Sequence, residues 1–240
     1  MKQKPLSIEN QWDVLYRDYP DVYEEFGRVQ KNPTAIEVVN RHFPLSGKRV
    51  LDIGAGTGLS TFELGRYAAT VIGLEPEKSM LEIATKSARE QATENVLFLG
   101  GKAEHLPLKD KSVDIAIAVT LASLYTEANV RAFASESERV TRKGGTIITV
   151  DIAPRWYGGD LAPVILGRSK MDLPEDNIRE TVLASLDFKV KDFYTIQDYG
   201  TVEHAVDTYG FIFGKAAIDF LRANEKSVIK WKVRIRYKTL

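Results

Sequence analysis

The stretch Val50-Leu51-Asp52-Ile53-Gly54-Ala55-Gly56-Thr57-Gly58 constrains this chain more than any other. An apolar run ends in three glycines that alternate with small residues, and an aspartate stands just before them. A glycine-rich turn closing a strand lets a ligand approach the backbone, because no Cβ stands in the way. It also belongs to one architecture, an open sheet whose ligands gather at the carboxyl ends of its strands.

The periodicity downstream agrees. Short apolar strands are predicted at Arg49–Ile53, Thr70–Leu74, Val96–Leu99, Val113–Val119 and Gly145–Val150. Helices are predicted between them at Gly58–Tyr67, Glu77–Gln91 and Glu127–Val140, with Met80, Leu81, Ile83, Ala84 and Ala88 on one side of the second. Apolar strands alternating with amphipathic helices form a parallel sheet covered on both faces. Beyond it come a helix over Glu175–Leu186, a strand over Phe188–Ile196, a broken helix over Val202–Leu221 and a last strand over 228–237. In that strand Ile229, Trp231, Val233, Ile235 and Tyr237 alternate with Lys230, Lys232, Arg234 and Arg236, which predicts an antiparallel strand with one solvated face. Upstream, Trp12, Tyr16, Tyr19, Tyr23 and Phe26 recur at helical spacing, and Pro20 divides the stripe into two short helices. A further helix is expected from Pro33 to before Pro44.

Three ligands compete for the glycine turn. A P-loop needs a lysine after its last glycine, and none follows here. A dinucleotide site wants G-x-G-x-x-G, but Leu59 occupies the third position. A pyrophosphate would also meet the Asp52 carboxylate, and like charges at 4 Å repel by roughly 4 kcal/mol at an effective dielectric of 20. S-adenosylmethionine carries no phosphate. Its sulfonium and α-ammonium groups would be attracted by Asp52, directly or through water.

On these residues the chain resembles the class I S-adenosylmethionine-dependent methyltransferases, the small-molecule, quinone-biosynthesis-like branch in particular, across residues 48 to 151. Four further motifs carry the resemblance: Gly73-Leu74-Glu75-Pro76; Gly101-Lys102-Ala103-Glu104-His105-Leu106-Pro107; Val113-Asp114 with the apolar run after it; and Arg139 through Gly145 before the fifth strand. The resemblance implies an α/β, Rossmann-like, seven-stranded, mostly parallel sheet with helices on both faces. Its last strand would be antiparallel, between the fifth and sixth. It implies S-adenosylmethionine as cofactor, S-adenosylhomocysteine as product, and cofactor contacts at Asp52, Gly54, Ala55, Gly56, Thr57, Gly58, Glu75, Pro76, Met80, Lys102, Ala103, Glu104 and Val119. Glu75 would accept the ribose hydroxyls. The family's aspartate for the adenine amino group is Lys102 here, which cannot accept, so Glu104 or the Ala103 backbone takes that part. Tyr16 and Tyr23 are candidates, with Tyr19, to close over the cofactor from an N-terminal helical lid; the same stripe also reads as plain helix packing.

For the acceptor side the candidates are Trp156 and Tyr157, which follow the fifth strand beside Gly158 and Gly159. Tyr125 is a candidate to orient the acceptor and His204 a candidate general base. Three histidines far apart at 42, 105 and 204 form no metal constellation, so no metal is expected. The chain is read as a single methyltransferase domain: a lid over 1–45, a cofactor core over 46–151, and a substrate-side region over 152–240.

Composition narrows the partners. Lys plus Arg equals Asp plus Glu at 33 each, so no global field favours nucleic acid or anionic membrane. Residues 221–240 hold seven basic residues and one acidic, which keeps an RNA or other nucleic-acid methyltransferase as a rival, although no N-P-P-Y or D-P-P-Y tetrapeptide is present. A non-catalytic S-adenosylmethionine-binding protein is the second rival. The expectation is a small-molecule acceptor, no nucleic acid and no membrane span. The chain contains no cysteine, which excludes disulfides and cysteine thiol chemistry and argues against the arsenic-methylating branch. With no apolar leader after Met1, a cytoplasmic location is expected.

Overall fold

The computed structural model describes residues 5–29, 31–121, 124, 126–167 and 173–240. Its strands are β1 (Lys31–Asn32), β2 (Arg49–Ile53), β3 (Thr70–Glu75), β4 (Val96–Gly100), β5 (Val113–Val119), β6 (Thr141–Ile152), β7 (Lys189–Asp198) and β8 (Val228–Thr239). The α-helices are α1 (Trp12–Asp18), α2 (Pro20–Arg28), α3 (Ala35–His42), α4 (Leu59–Gly65), α5 (Lys78–Glu90), α6 (Glu127–Val140), α7 (Ala162–Ile165), α8 (Pro174–Ser185), α9 (Val202–Ala205), α10 (Phe211–Phe213) and α11 (Lys215–Ala223). The strands hydrogen-bond in the order β1-β7-β8-β6-β5-β2-β3-β4.

The pairs β2–β3, β2–β5, β3–β4 and β5–β6 are parallel. β8 is antiparallel to β6: Gly144 N–H donates to Leu240 O at 2.8 Å and Ala153 N–H to Lys232 O at 2.9 Å, so one strand descends as the other rises. The sheet has eight strands where seven were expected. The addition is β1, two residues that pair antiparallel with β7 at Lys31↔Gln197 and Asn32↔Ile196. A Lys-Asn dipeptide has no strand signature, and its partner strand alone makes it one.

The chain divides into two compact units. One comprises Met1–Thr34, Ile152–Leu173 and Phe193–Val233; the other comprises Ala35–Asp151, Pro174–Asp192 and Arg234–Leu240.

The second unit carries the glycine turn. Its core includes Leu51, Ile53, Ile72, Leu74, Ala116, Ala118, Val130, Phe133, Ile147, Val182 and Leu183, all buried. Each large aliphatic side chain removed from water stabilises this arrangement by about 1.5–3 kcal/mol. α6 buries Val130, Phe133, Ala134, Ser137 and Val140, one face at helical spacing, and Thr126 caps it by accepting the Asn129 N–H. α5 buries only Ala84, and Ile83, expected on its apolar side, is half exposed. β6 begins earlier than predicted. Val113 pairs with Thr141 and Ile115 with Thr146, so Arg142–Gly145 bulge out of the ladder. A Cβ on Gly145 would stand 2.5 Å from Asp114 O, which is why the bulge closes on glycine.

The predicted solvated face of the last strand is corrected. Arg236 is 1% exposed and Arg234 half-buried. Arg236 donates to Asp151 Oδ2 at 3.1 Å and to Glu180; Arg234 donates to Asp192 and Glu180. Arg179, also buried, donates to Asp176 at 2.5 Å and approaches Asp151 at 3.4 Å. The alternation is as predicted and Lys230 is exposed, but at Arg234 and Arg236 α8 supplies carboxylates above the basic face and makes that end of the strand part of an interior ion-pair network.

In the first unit the N-terminal aromatic stripe packs inward. Trp12 meets Phe26 and Phe213 edge-on, each at 6.0 Å, and Tyr19 meets Phe211 at 4.9 Å. The break expected in the 202–221 helix occurs at Gly214, whose φ of 105° no side chain adopts easily.

Candidate active site

The glycine turn is held from below by strand ends. Gly54 N–H and Ala55 N–H both donate to Leu74 O, at 2.8 and 2.9 Å, and Gly58 N–H donates to Ala55 O. Gly54, Gly56 and Gly58 have φ of 80°, 57° and 94°. A Cβ on Gly54 would meet Leu121 Cδ1 at 2.4 Å, and one on Gly58 would meet Phe62 and Phe98 at 2.8 Å. At Gly56 the nearest atom would be Met80 Sδ at 4.0 Å. Gly58 is therefore demanded by two aromatic rings as well as by its φ, Gly54 meets the movable tip of Leu121, and Gly56 leaves open room above the backbone, with Met80 as its neighbour. Thr57 is half-buried beside it.

Asp52 lies beneath, fully buried. Its Oδ2 accepts the Ser60 and Thr61 hydroxyls at 2.7 Å each. Its Oδ1 accepts nothing among the described residues. Burial pushes its pKa up to about 6, the two hydroxyls pull it down, and the Glu75 carboxylate pushes it up further. Glu75 ends β3 with 6% exposure, its Oε2 accepting the Gly56 N–H at 2.8 Å and its Oε1 the Glu77 N–H at 3.0 Å. Pro76 follows, exposed. Two carboxylates beside bare glycine backbone make an acidic cradle, suited to a cation and hostile to a diphosphate.

The loop after β4 is pinned by α6. Arg139 donates to Leu106 O, Leu108 O and Asp110 Oδ1, each at 2.8 Å, and Glu136 accepts the Leu106 N–H at 2.7 Å. The Arg139 guanidinium holds the Glu136 carboxyl down at about 2. Ala103 is buried and Lys102 exposed, while Glu104 Oε1 accepts Asn129 Nδ2 at 2.7 Å. Glu104 is thus partly committed to α6. At the end of β5, Val119 is half-buried, and Thr120 takes φ of 50°, a strained conformation for a β-branched residue.

The second unit therefore assembles Asp52, the glycine turn, Glu75, Met80, the Lys102–Glu104 loop and the Val119 strand end at the carboxyl edge of one parallel sheet. Of the remaining candidates, Tyr23, Trp156, Tyr157 and His204 belong to the first unit. Tyr125 lies outside the described residues, as does the side chain of Tyr16. Tyr23 is half-buried on α2 in the first unit, where burial raises its pKa. Tyr157 accepts the Trp12 indole N–H at 2.6 Å, and Trp156 packs edge-on to Tyr194 at 5.6 Å. The glycines after them serve packing: a Cβ on Gly159 would stand 2.7 Å from Lys230 O. His204 has Nδ1 against Tyr199 O at 2.8 Å and Nε2 against Glu25 Oε1 at 3.0 Å, so both ring nitrogens are engaged with acceptor oxygens of the first unit. Ser60, Thr61, Asn129 and Arg139 escaped the sequence reading. A Ser-Thr pair at a helix start reads as ordinary capping chemistry, and the other two act across more than 20 residues.

Strand ends, bare glycines and a buried acid together define an α/β protein built for a cationic nucleoside cofactor. Residues 51–149 match the family model for a methyltransferase domain. The chain is 30% identical over 227 residues to the uncharacterized methyltransferase Mb3374 of Mycobacterium bovis, covering 90% of this chain and 79% of that protein. It is 35% identical over 131 residues to the ubiquinone biosynthesis O-methyltransferase of Agrobacterium fabrum, covering 55% of this chain and 48% of that one. The crystal structure of YcgJ from Bacillus subtilis superimposes with a TM-score of 0.59 at 19% identity, over 85% of this chain and 98% of the other, which shows a shared fold. The chain spans about half the length of the first curated relatives it matches. It belongs to the class I S-adenosylmethionine-dependent methyltransferases.

Proposed function

We propose that the chain is an enzyme that transfers the methyl group of S-adenosylmethionine to a small-molecule acceptor, releasing S-adenosylhomocysteine and using no metal. The observation that carries this reading is the buried Oδ1 of Asp52, on the strand that leads into the glycine turn, which accepts nothing among the described residues. An acceptor atom kept dry and idle costs about 1–3 kcal/mol or more, and an α-ammonium group would satisfy it. Glu75 would hold the ribose, Met80 and Val119 would border the nucleoside, and the pinned Lys102–Glu104 loop would face the adenine, read through the Ala103 backbone or the uncommitted oxygen of Glu104.

When bound, S-adenosylmethionine supplies a methyl group already activated by its sulfonium charge. The protein then has to align the acceptor and exclude water, and alignment alone supplies about 7–11 kcal/mol. Trp156 is proposed to contact the acceptor. Tyr157 is proposed to anchor its loop, since its hydroxyl already accepts from Trp12. His204 is not carried forward as a base. A small-molecule acceptor is supported by the relative named for ubiquinone biosynthesis. Against the nucleic-acid alternative, two of the seven basic residues that suggested it, Arg234 and Arg236, are paired with Asp151, Glu180 and Asp192.

The test is isothermal calorimetry with S-adenosylhomocysteine, followed by turnover with methyl-labelled cofactor and fractionated metabolites. Micromolar binding, lost at least tenfold in Asp52→Ala, and a labelled small product are expected. Binding of NAD or a nucleoside triphosphate in its place would overturn the reading, and binding without turnover in any fraction would make the chain a non-catalytic binder.

A further inference from the structure

The hydroxyls that converge on Asp52 are arranged unevenly. Ser60 and Thr61 are consecutive residues in the first turn of α4, and both donate to the same oxygen, Oδ2, at 2.7 Å. The other oxygen receives none among the described residues, although an ionised carboxylate can accept about four hydrogen bonds across its two oxygens. Two donors on one oxygen fix the rotation of the carboxylate. They also leave Oδ1 with all its lone pairs, in a place where an unsatisfied polar atom is expensive.

Among the described residues the surroundings supply no substitute donor to Oδ1. β3 presents Gly73 and β5 presents Ile117 alongside Asp52. α4 contributes the two hydroxyls, and the one charged group that acts on Asp52 is the Glu75 carboxylate, which opposes its ionisation. Among the described residues the hydroxyls are thus the local influence on this side chain that favours the charged form.

We propose that Ser60 and Thr61 are positioning residues: they lock the Asp52 carboxylate so that Oδ1 alone is offered to the α-ammonium group of the bound S-adenosyl ligand. The inference rests on the reading of the site as an S-adenosylmethionine pocket and adds what prepares it. It makes ligand capture depend on the charge of Asp52. The free protein's Asp52 titrates near pH 6, and the ammonium needs the ionised form. Affinity for an ammonium-bearing ligand should then be present above that pH and fall as the pH drops through it, to about tenfold weaker at pH 5 than at pH 8.

The experiment is calorimetry of S-adenosylhomocysteine against the full chain from pH 5 to 8.5. It is repeated with 5′-methylthioadenosine, which keeps the nucleoside and lacks the amino-acid arm. Thr61→Val keeps the shape and removes one donor; Ser60→Ala removes the other; Thr61→Ser restores a hydroxyl. In Thr61→Val the fall in S-adenosylhomocysteine affinity should move to higher pH, with a loss of about threefold or more at pH 6.5 and of less than about twofold at pH 8.5. Thr61→Ser should return to the wild-type profile, and 5′-methylthioadenosine should show no such shift. A Thr61→Val profile that superimposes on wild type would overturn the inference while leaving the cofactor assignment standing. Equal weakening of both ligands at every pH would reduce the hydroxyls to a structural part and overturn it likewise. Wild-type protein that binds neither ligand would instead refute the pocket assignment itself.

Discussion

The Glu75 carboxylate accepts the backbone N–H of Gly56 through Oε2 at 2.8 Å, across 19 residues of chain. This bond ties the end of β3 to the glycine turn after β2, and a second bond, from the Glu77 N–H to Oε1, fixes the carboxylate from the other side. Each oxygen keeps lone pairs for a diol, so the acid that is to hold the ribose also sets the loop that is to admit the ligand.

Glu75→Gln should therefore damage binding twice over. The amide has one acceptor oxygen for two backbone donors, and it carries no charge. S-adenosylhomocysteine affinity is expected to fall at least about tenfold, since hydrogen bonds to charged groups contribute about 1.5–3 kcal/mol. Glu104→Gln, half-buried and bonded to Asn129, should cost less than about threefold. Calorimetry that finds the reverse order would move the ribose contact elsewhere.

Asp52 should stabilise the ligand complex at the expense of the empty protein. Its folded pKa, near 6, lies above the unfolded value of 3.8, so the folded state binds more protons between those values and loses stability as the pH rises through them. The loss is on the order of 3 kcal/mol above pH 6. Asp52→Asn removes it, and Asn can still accept from Ser60 and Thr61. The ligand-free variant should melt several degrees higher than wild type at pH 7.5, with the gain shrinking toward pH 4, while S-adenosylhomocysteine binding collapses. A variant less stable than wild type at pH 7.5 would contradict this assignment of strain.

Arg236→Leu would take from Asp151 and Glu180 the cation they share, leaving each with one other guanidinium, Arg179 and Arg234 respectively. Breaking a buried pair on one side costs about 3–5 kcal/mol. The unfolding free energy from urea titration should fall accordingly, whereas Lys230→Ala, exposed on the same strand, should change it by less than about 0.5 kcal/mol. Equal effects would mean that the strand's charges are solvated after all.

Lys31 sits over the rings of Trp231 and Phe26, with Nζ 4.8 and 5.6 Å from their centroids. Burial lowers its pKa from 10.5 to about 8. A lysine whose folded pKa is depressed makes the protein more stable as the pH rises from 8 toward 10.5, because the unfolded chain binds the extra proton. Wild-type stability in urea should show that rise, and Lys31→Met should abolish it. A rise of the same size in the variant would place the titration on another group.

Much of the parallel sheet was legible. β2 and β5 fall on their predicted boundaries and β3 extends its own by one residue, because strands buried on both faces are mostly apolar; β4, at the sheet edge with Leu97 and Leu99 exposed, was legible from its apolar run alone and extends by one residue. The acids at 52 and 75 were legible by type and place. The two-residue β1 was not, since a strand of that length exists only by virtue of its neighbour. Nor was the α4 hydroxyl pair, whose meaning depends on which oxygen it reaches.

The sequence by itself determined the alternation of strands and helices, the glycine turn and the acidic character of the pocket, since periodicity and backbone freedom are local properties. Only the tertiary structure decided what became of each charge. Arg236 finds Asp151 across 85 residues, His204 finds Glu25 across 179, and Asp52 is left with one oxygen idle. The energy of a buried charge is set by whatever the fold brings within hydrogen-bonding distance, and no stretch of chain specifies that alone.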